Sequence, residues 1–198
     1  MSDISRDLFY IRKIQLKFYF KNSLNIQYLF LIEKILFQSF SQNTEIPFSN
    51  LKLKWIYEQI DNEKDFMKGI ERSDILKEKK FKENLLILID NFSEILISKS
   101  DSDFFHYFKE FNQAFNLICK SNNKKFSTSC QFQILMFFYV TQQNIGKTQK
   151  DLILNIQQNE IDIFEKVFID IILKGKKIKK KMSKLYYLCK LILELIKN

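Results

Sequence analysis

Asp61 and Asp65 stand four residues apart with Glu63 between them. On a helix the two aspartates share one face, and paired carboxylates at that spacing hold magnesium for a diphosphate substrate. Such chemistry also draws on acids from an opposing wall, so this one cluster reads as a solvated linker. His106 is the only histidine. Asp101 and Asp103 lie near it, yet no metal-ligand spacing is visible. With a single imidazole in the chain, no serine, cysteine or lysine can be named as a nucleophile. A partly exposed helix position is predicted for His106. Ile145-Gly146-Lys147-Thr148 carries the letters Gly-Lys-Thr, but Thr141 stands where a phosphate loop has its first glycine. A cradle of backbone amides needs more glycine than that, and a loop between helices is predicted. No catalytic residue, metal or cofactor is expected.

The strongest local signal is electrostatic. Lys174, Lys176, Lys177, Lys179, Lys180, Lys181 and Lys184 place seven lysines within eleven residues. Residues 171–198 hold nine Lys and one Glu, so the first 170 residues contribute only about +1 of the formal +9. Three readings are open: a solubilising cap, contact with an anionic membrane surface, and contact with nucleic-acid phosphates. Lysine brings charge without a planar fork, so any such contact would be unspecific.

These residues need elements to position them, and the composition says which kind. The chain has 198 residues, 46% of them hydrophobic, with 21 Phe and 8 Tyr but only 3 Gly and 1 Pro. Folds rich in tight corners need glycine and proline. Long helices joined by polar loops fit better, and the length suits one domain over 1–198. The longest apolar run, Ile134 to Val140, is too short to cross a bilayer as a helix. Cys119, Cys130 and Cys189 form no pair pattern, so buried thiols in a reducing compartment are expected.

Apolar residues recur every three or four positions along most of the chain. A first helix is predicted to about Lys21 with Leu8, Ile11, Ile14 and Phe18 inward, capped by Asp3 or Ser5. Its basic amphipathic character also suits a mitochondrial presequence, against which Asp3 and Asp7 argue. A second helix covers Ser23 to Phe40. Pro47 starts a third, with Leu51, Trp55 and Ile60 inward and Trp55 as core anchor. Asn62 to Lys80 is a connection or short surface helix. Phe81 to Ile97 follows, then a helix through Tyr107 and Ile118 capped by Asp103, then one through Leu135 and Val140 capped by Ser127 or Thr128. Leu152 to Ile156 gives one or two turns. Ile161 to Leu173 is helical and closed by Gly175, and a final helix turns Met182, Leu185, Leu188, Cys189, Ile192 and Ile196 inward. The prediction is an all-α, compact multi-helix bundle.

Several of these segments, in order, resemble the squalene/phytoene synthase family, and within it the non-catalytic branch that includes a mitochondrial complex I assembly factor. Arg6-Asp7 and Phe30-Leu31-Ile32-Glu33 resemble its arginine-aspartate start and its aromatic helix ending in glutamate. Pro47 and Leu51-Lys52-Leu53-Lys54-Trp55 resemble its proline and basic-leucine-polar-tryptophan motif. Leu85 to Ile97, Ser98 to Asp103 and Tyr107 follow the order of its acidic segment, serine-rich turn and tyrosine helix, and Leu185-Tyr186-Tyr187-Leu188 resembles its closing helix. The resemblance touches about 60% of the chain. It implies a prenyl-synthase-like helical bundle with Glu33, Pro47, Lys52, Trp55 and Tyr107 at family-motif positions.

Catalytic members hold magnesium and prenyl diphosphates with two aspartate-rich clusters on facing helices. Around Glu33 this chain has one acid, and Thr141-Gln142-Gln143-Asn144 stands where the second cluster belongs. Ile56 follows Trp55 where the family often has a second aromatic. The resemblance therefore implies a pseudoenzyme: a protein that assists assembly of a mitochondrial inner-membrane complex from the matrix side by binding protein partners. A cytoplasmic location is the alternative. Two other functions remain as expectations, a basic nucleic-acid-binding protein using the 174–184 lysines and a divergent prenyl-diphosphate-processing enzyme.

Overall fold

A computed structural model of the chain describes residues 9–40, 46–64, 73–156, 162–174 and 184–197. Among these residues all regular structure is α-helical, as the scarcity of glycine and proline predicts. The helices are α1 (Tyr10–Phe20), α2 (Leu24–Ser39), α3 (Ile46–Asp61), α4 (Ser73–Lys77), α5 (Lys79–Ile97), α6 (Asp101–Asn122), α7 (Cys130–Thr141), α8 (Lys147–Leu154), α9 (Ile163–Lys174) and α10 (Lys184–Lys197). They fall into two compact units, Met1–Phe126 and Ser127–Asn198.

In the first unit α2 is the central helix. It buries every residue from Ile26 to Glu33 and again Leu36, Phe37 and Ser39, leaving no broad polar face. A helix with apolar residues on most of its circumference belongs inside, and α1, α3, α5 and α6 pack around it. α5 buries Leu85, Leu88, Ile89, Phe92 and Leu96, the stripe that apolar spacing of three and four marks out in this helix, and Phe81 and Ile95 beside it. Phenylalanine rings join the layers. Phe30 stacks on Phe115 with centroids 5.9 Å apart, and Phe37 meets Phe92 at 5.8 Å and Phe111 at 5.9 Å. Such ring pairs add about 0.5–1.5 kcal/mol each beyond the area they bury.

Four predicted details of this unit are corrected. In α1 the inward face is Ile11, Arg12, Gln15, Leu16 and Phe20, while Phe18 is 70% exposed. The stripe read from apolar residues alone has the wrong phase, because two of the inward positions are polar. In α3 the inward residues are Ser49, Leu53, Ile56 and Ile60. Leu51 and Trp55 lie on the opposite side, so Trp55 is not a core anchor and is 49% exposed. α6 is capped by Ser100, whose Oγ accepts from the Asp103 N–H at 3.1 Å, so Asp103 stands inside the first turn. α1 begins at Tyr10 with Phe9 at its N-cap and no capping side chain, so Asp3 and Ser5 do not cap it; they and Leu8 lie outside the described residues.

Several of the described helix ends turn without glycine. Lys21, Asn22, Glu63 and Gln142 all take positive φ, the backbone geometry glycine usually supplies at such points. Lys21 and Asn22 turn the chain from α1 into α2, and the Asn22 N–H donates back to the Leu16 carbonyl.

In the second unit α7 packs on α8 and α9, and α9 on α10. α7 buries Gln131 through Phe138 without a break. Its cap is Ser129, accepting from the Phe132 N–H at 3.1 Å, in place of the predicted Ser127 or Thr128. Thr128 is engaged elsewhere: its hydroxyl donates to the buried Glu165 of α9, which also accepts from the Ser129 N–H at 2.8 Å. A carboxylate at a helix N-terminus answers both the free amides and the helix dipole. The Tyr187 hydroxyl donates to the Phe164 carbonyl at 2.7 Å and ties α10 to α9. α10 turns Tyr187 and Leu191 inward, leaving Cys189 and Ile192 of the predicted stripe exposed. Its apolar residues go most of the way round, and the aromatic wins the seam because its hydroxyl finds a partner there. Ile161, Gly175 and Met182 lie outside the described residues.

Candidate functional site

Among the predicted positions, the one with the most developed surroundings is Glu33. It is the lone acid in the apolar run of α2, and its side chain is 0% exposed. An isolated buried carboxylate is prohibitively costly, so the fold must supply a cation. Arg12 of α1 does so from 21 residues away. Its Nε donates to Glu33 Oε2 at 2.8 Å and its Nη2 to Oε1 at 2.7 Å, a two-pronged pairing. Nη1 donates to the Gln15 side-chain oxygen at 2.7 Å. The guanidinium carbon lies 4.9 Å from the Phe30 ring centroid and 4.8 Å from that of Phe115, within cation–π range of both. Arginine suits this setting through its planar fork and weak hydration.

Chemically, this arrangement binds charge to charge and holds both still. Both oxygens of Glu33 are engaged by one guanidinium, and the group is enclosed. The Arg12 partnership was missed in the sequence. The signal that finds it is Glu33 itself: a carboxylate directly after the apolar run Tyr28 to Ile32 demands a buried base, and Arg12 with Gln15 and Leu16 forms an alternative phase for α1.

The acids after α3 are also met by a cation. Lys82 of α5 donates to Glu63 Oε1 at 2.9 Å and to the Asp61 carbonyl at 3.3 Å. That hydrogen bond and the acids around it raise the Lys82 pKa, against a smaller opposing effect of burial. Asp65 lies outside the described residues. Farther along α5, Asp90 has its pKa raised by desolvation and by Glu94 one turn on. Tyr57 of α3 is raised as well, by burial first and then by the charges of Asp90 and Asp61.

The other motif positions do not join Glu33. Pro47 stands at the second residue of α3, as a helix start favours, and is exposed. Lys52 is exposed on the same helix, beside an outward apolar stripe of Phe48, Leu51 and Trp55. Tyr107 is half-buried on α6 and its neighbour His106 is exposed. In the second unit, Thr141 is buried and its hydroxyl donates to the Phe137 carbonyl at 2.9 Å. Gly146 precedes α8 with φ −65°, and its N–H donates to the Gln149 side chain at 3.1 Å. That φ is open to any residue, so Gly146 meets none of the demands of a phosphate cradle. Lys174 ends α9 and Lys184 begins α10, while Lys176, Lys177, Lys179, Lys180 and Lys181 lie outside the described residues.

Among the described residues no three His, Cys, Asp or Glu side chains gather as a metal-holding group, and no helix is long and apolar enough to cross a membrane. No family model, curated protein or solved structure matches this chain.

Proposed function

We propose that this chain is a non-catalytic helical protein with a prenyl-synthase-like scaffold, acting by binding as an assembly or structural factor of a mitochondrial inner-membrane complex. The observation that carries the non-catalytic half is the state of Glu33. It occupies the family-motif position for an acid, yet its charge is spent on Arg12 inside the core. Magnesium-assisted diphosphate departure needs carboxylates that face the substrate. The compartment and the complex rest on motif order alone.

The binding half is supported by α3. Ser49, Leu53, Ile56 and Ile60 bury one side, so Phe48, Leu51 and Trp55, at intervals of three and four, form an apolar strip on the other. Aromatic anchors of this kind are the residues that dominate protein interfaces. Lys52 and Lys54 are exposed beside the strip, which selects a protein partner with an apolar groove edged by carboxylates.

A photo-crosslinking side chain placed at Leu51, in chain expressed in its native source, tests this directly. The expected product is a covalent adduct with a subunit of an inner-membrane complex, lost when Trp55 is changed to Ser. Adducts with nucleic acid only, or none while the protein remains folded, would refute it.

A further inference from the structure

The first unit gathers a basic surface at one end of its helices. α1 ends there at Phe20, α2 begins there at Leu24, and the end of α6 is tied to the turn between them. The Ser23 hydroxyl donates to the Asn122 side-chain oxygen at 3.1 Å, and the Asn123 side-chain amide donates to the Tyr19 carbonyl at 2.9 Å. The Phe126 ring centroid lies 5.1 Å from that of Tyr19. These contacts bring Lys17 and Lys21 to the same end as Lys120, Lys124 and Lys125. All five lysines are exposed, and none is ion-paired among the described residues. No Asp or Glu occurs in 9–32 or in 111–150. Glu78 reaches this end by accepting from the Asn25 amide at 3.2 Å, and the exposed Lys77 and Lys79 flank it in the chain.

Two large apolar side chains stand among these charges. Phe18, between Lys17 and Lys21, is 70% exposed, and Leu24, three residues after Lys21, is 54% exposed. Helix dipoles account for part of the arrangement, since the last turns of α1 and α6 favour cations. They give no reason to hold a phenylalanine and a leucine in water. Stable peripheral attachment to a membrane takes two signals, side chains that enter the acyl boundary and basic charge that meets anionic headgroups. Both are present here on described residues.

We propose that this end of the first unit docks on an anionic lipid surface. Phe18 and Leu24 enter the headgroup boundary, and the five lysines pair with lipid phosphates or carboxylates. A single-stranded nucleic acid would use the lysines and could stack on Phe18, but has no use for Leu24. The surface lies within Met1–Phe126, and neither the 174–184 lysines nor the α3 strip enters the argument. Charge totals conceal it, because the first 170 residues sum to only about +1, and folding separates the charges that the sum cancels.

The test is co-sedimentation of the full chain with vesicles of phosphatidylcholine alone and of phosphatidylcholine mixed with phosphatidylserine. Binding is expected with the anionic mixture and not with the neutral vesicles, and it should weaken with salt. Lys17, Lys21 and Lys124 changed together to Gln should lower affinity on the order of a hundredfold. Phe18→Ser should lower it on the order of tenfold. Both variants keep the lysines of 174–184, so a loss reports the first unit. Phe18→Trp in a Trp55→Phe background puts the sole tryptophan on this surface, and its emission should shift to the blue on anionic vesicles. All the changed side chains are exposed, so the fold does not depend on them. Equal binding to neutral vesicles, no binding to either, affinity unmoved by the lysine variant, or an unmoved tryptophan would overturn the proposal. Binding to a single-stranded oligonucleotide in place of vesicles, lost with the three lysines, would also overturn it.

Discussion

Arg12→Met leaves Glu33 with its charge and without its cation, in a site where both side chains are 0% exposed. Removing one partner of a buried pair costs about 3–5 kcal/mol, because the remaining charge stays in a low-dielectric site. Two short hydrogen bonds to Glu33, a third to Gln15 and two ring contacts are lost together, which places this substitution in the upper part of that range. Glu33→Leu strands the guanidinium and costs a similar amount. The double variant removes both charges and fills the space with apolar groups of similar volume, and such replacements are often neutral or stabilising. The cycle should therefore show a coupling of several kcal/mol, far above the roughly 0.5 kcal/mol within which independent sites add. Urea unfolding followed by circular dichroism reads this from the shift in midpoint at unchanged slope. Additive single variants, each costing under about 1 kcal/mol, would refute the enclosed pair.

Asp90 is a carboxyl whose pKa is raised in the folded chain by desolvation and then by Glu94. The fold thus favours its protonated form, and stability is lost as pH rises through the carboxylate range. Asp90→Asn should raise the urea midpoint at neutral pH and leave it unchanged at pH values where Asp90 is protonated in both states. Glu165→Ala removes the acceptor for the Thr128 hydroxyl and the Ser129 N–H, and should cost about 2–4 kcal/mol in thermal or urea unfolding. Gly146→Ala should shift unfolding by less than about 0.5 kcal/mol, since the added carbon meets only the flexible Gln149 side chain at 3.7 Å.

The helical class was legible because it follows from backbone economy: so little glycine and proline leaves few ways to build corners. Which residues are helical was legible where apolar spacing is regular and uncontested. In α5 the predicted Leu85, Leu88, Ile89, Phe92 and Leu96 are all buried, with Phe81 and Ile95 added to them. Phase was lost wherever polar groups go inside or apolar groups stay outside. α1 buries Arg12 and Gln15 and exposes Phe18, so a count of apolar residues points the wrong way. α3 has apolar residues on two faces, and nothing local says that Leu53 and Ile56 turn inward while Leu51 and Trp55 turn outward. That choice is made by α2 and α5, which the local sequence cannot see. Cap identity slipped by one to three residues at Ser100 and Ser129, because neighbouring serines, threonines and aspartates offer the same acceptor. Of the candidate site, Glu33 was marked and its partner was not. Pairing across 21 residues is a tertiary fact, although the need for some buried cation was already implicit in the carboxylate.

The most direct test of the non-catalytic account is turnover. The purified chain would be incubated with magnesium and prenyl diphosphates, and pyrophosphate release and condensed product measured, with Glu33→Gln run beside it. The account predicts neither pyrophosphate nor product above the protein-free control, for the chain and the variant alike. Condensation by the chain that disappears in Glu33→Gln would contradict it, for Glu33 would then be serving a metal-bound substrate and not Arg12 alone.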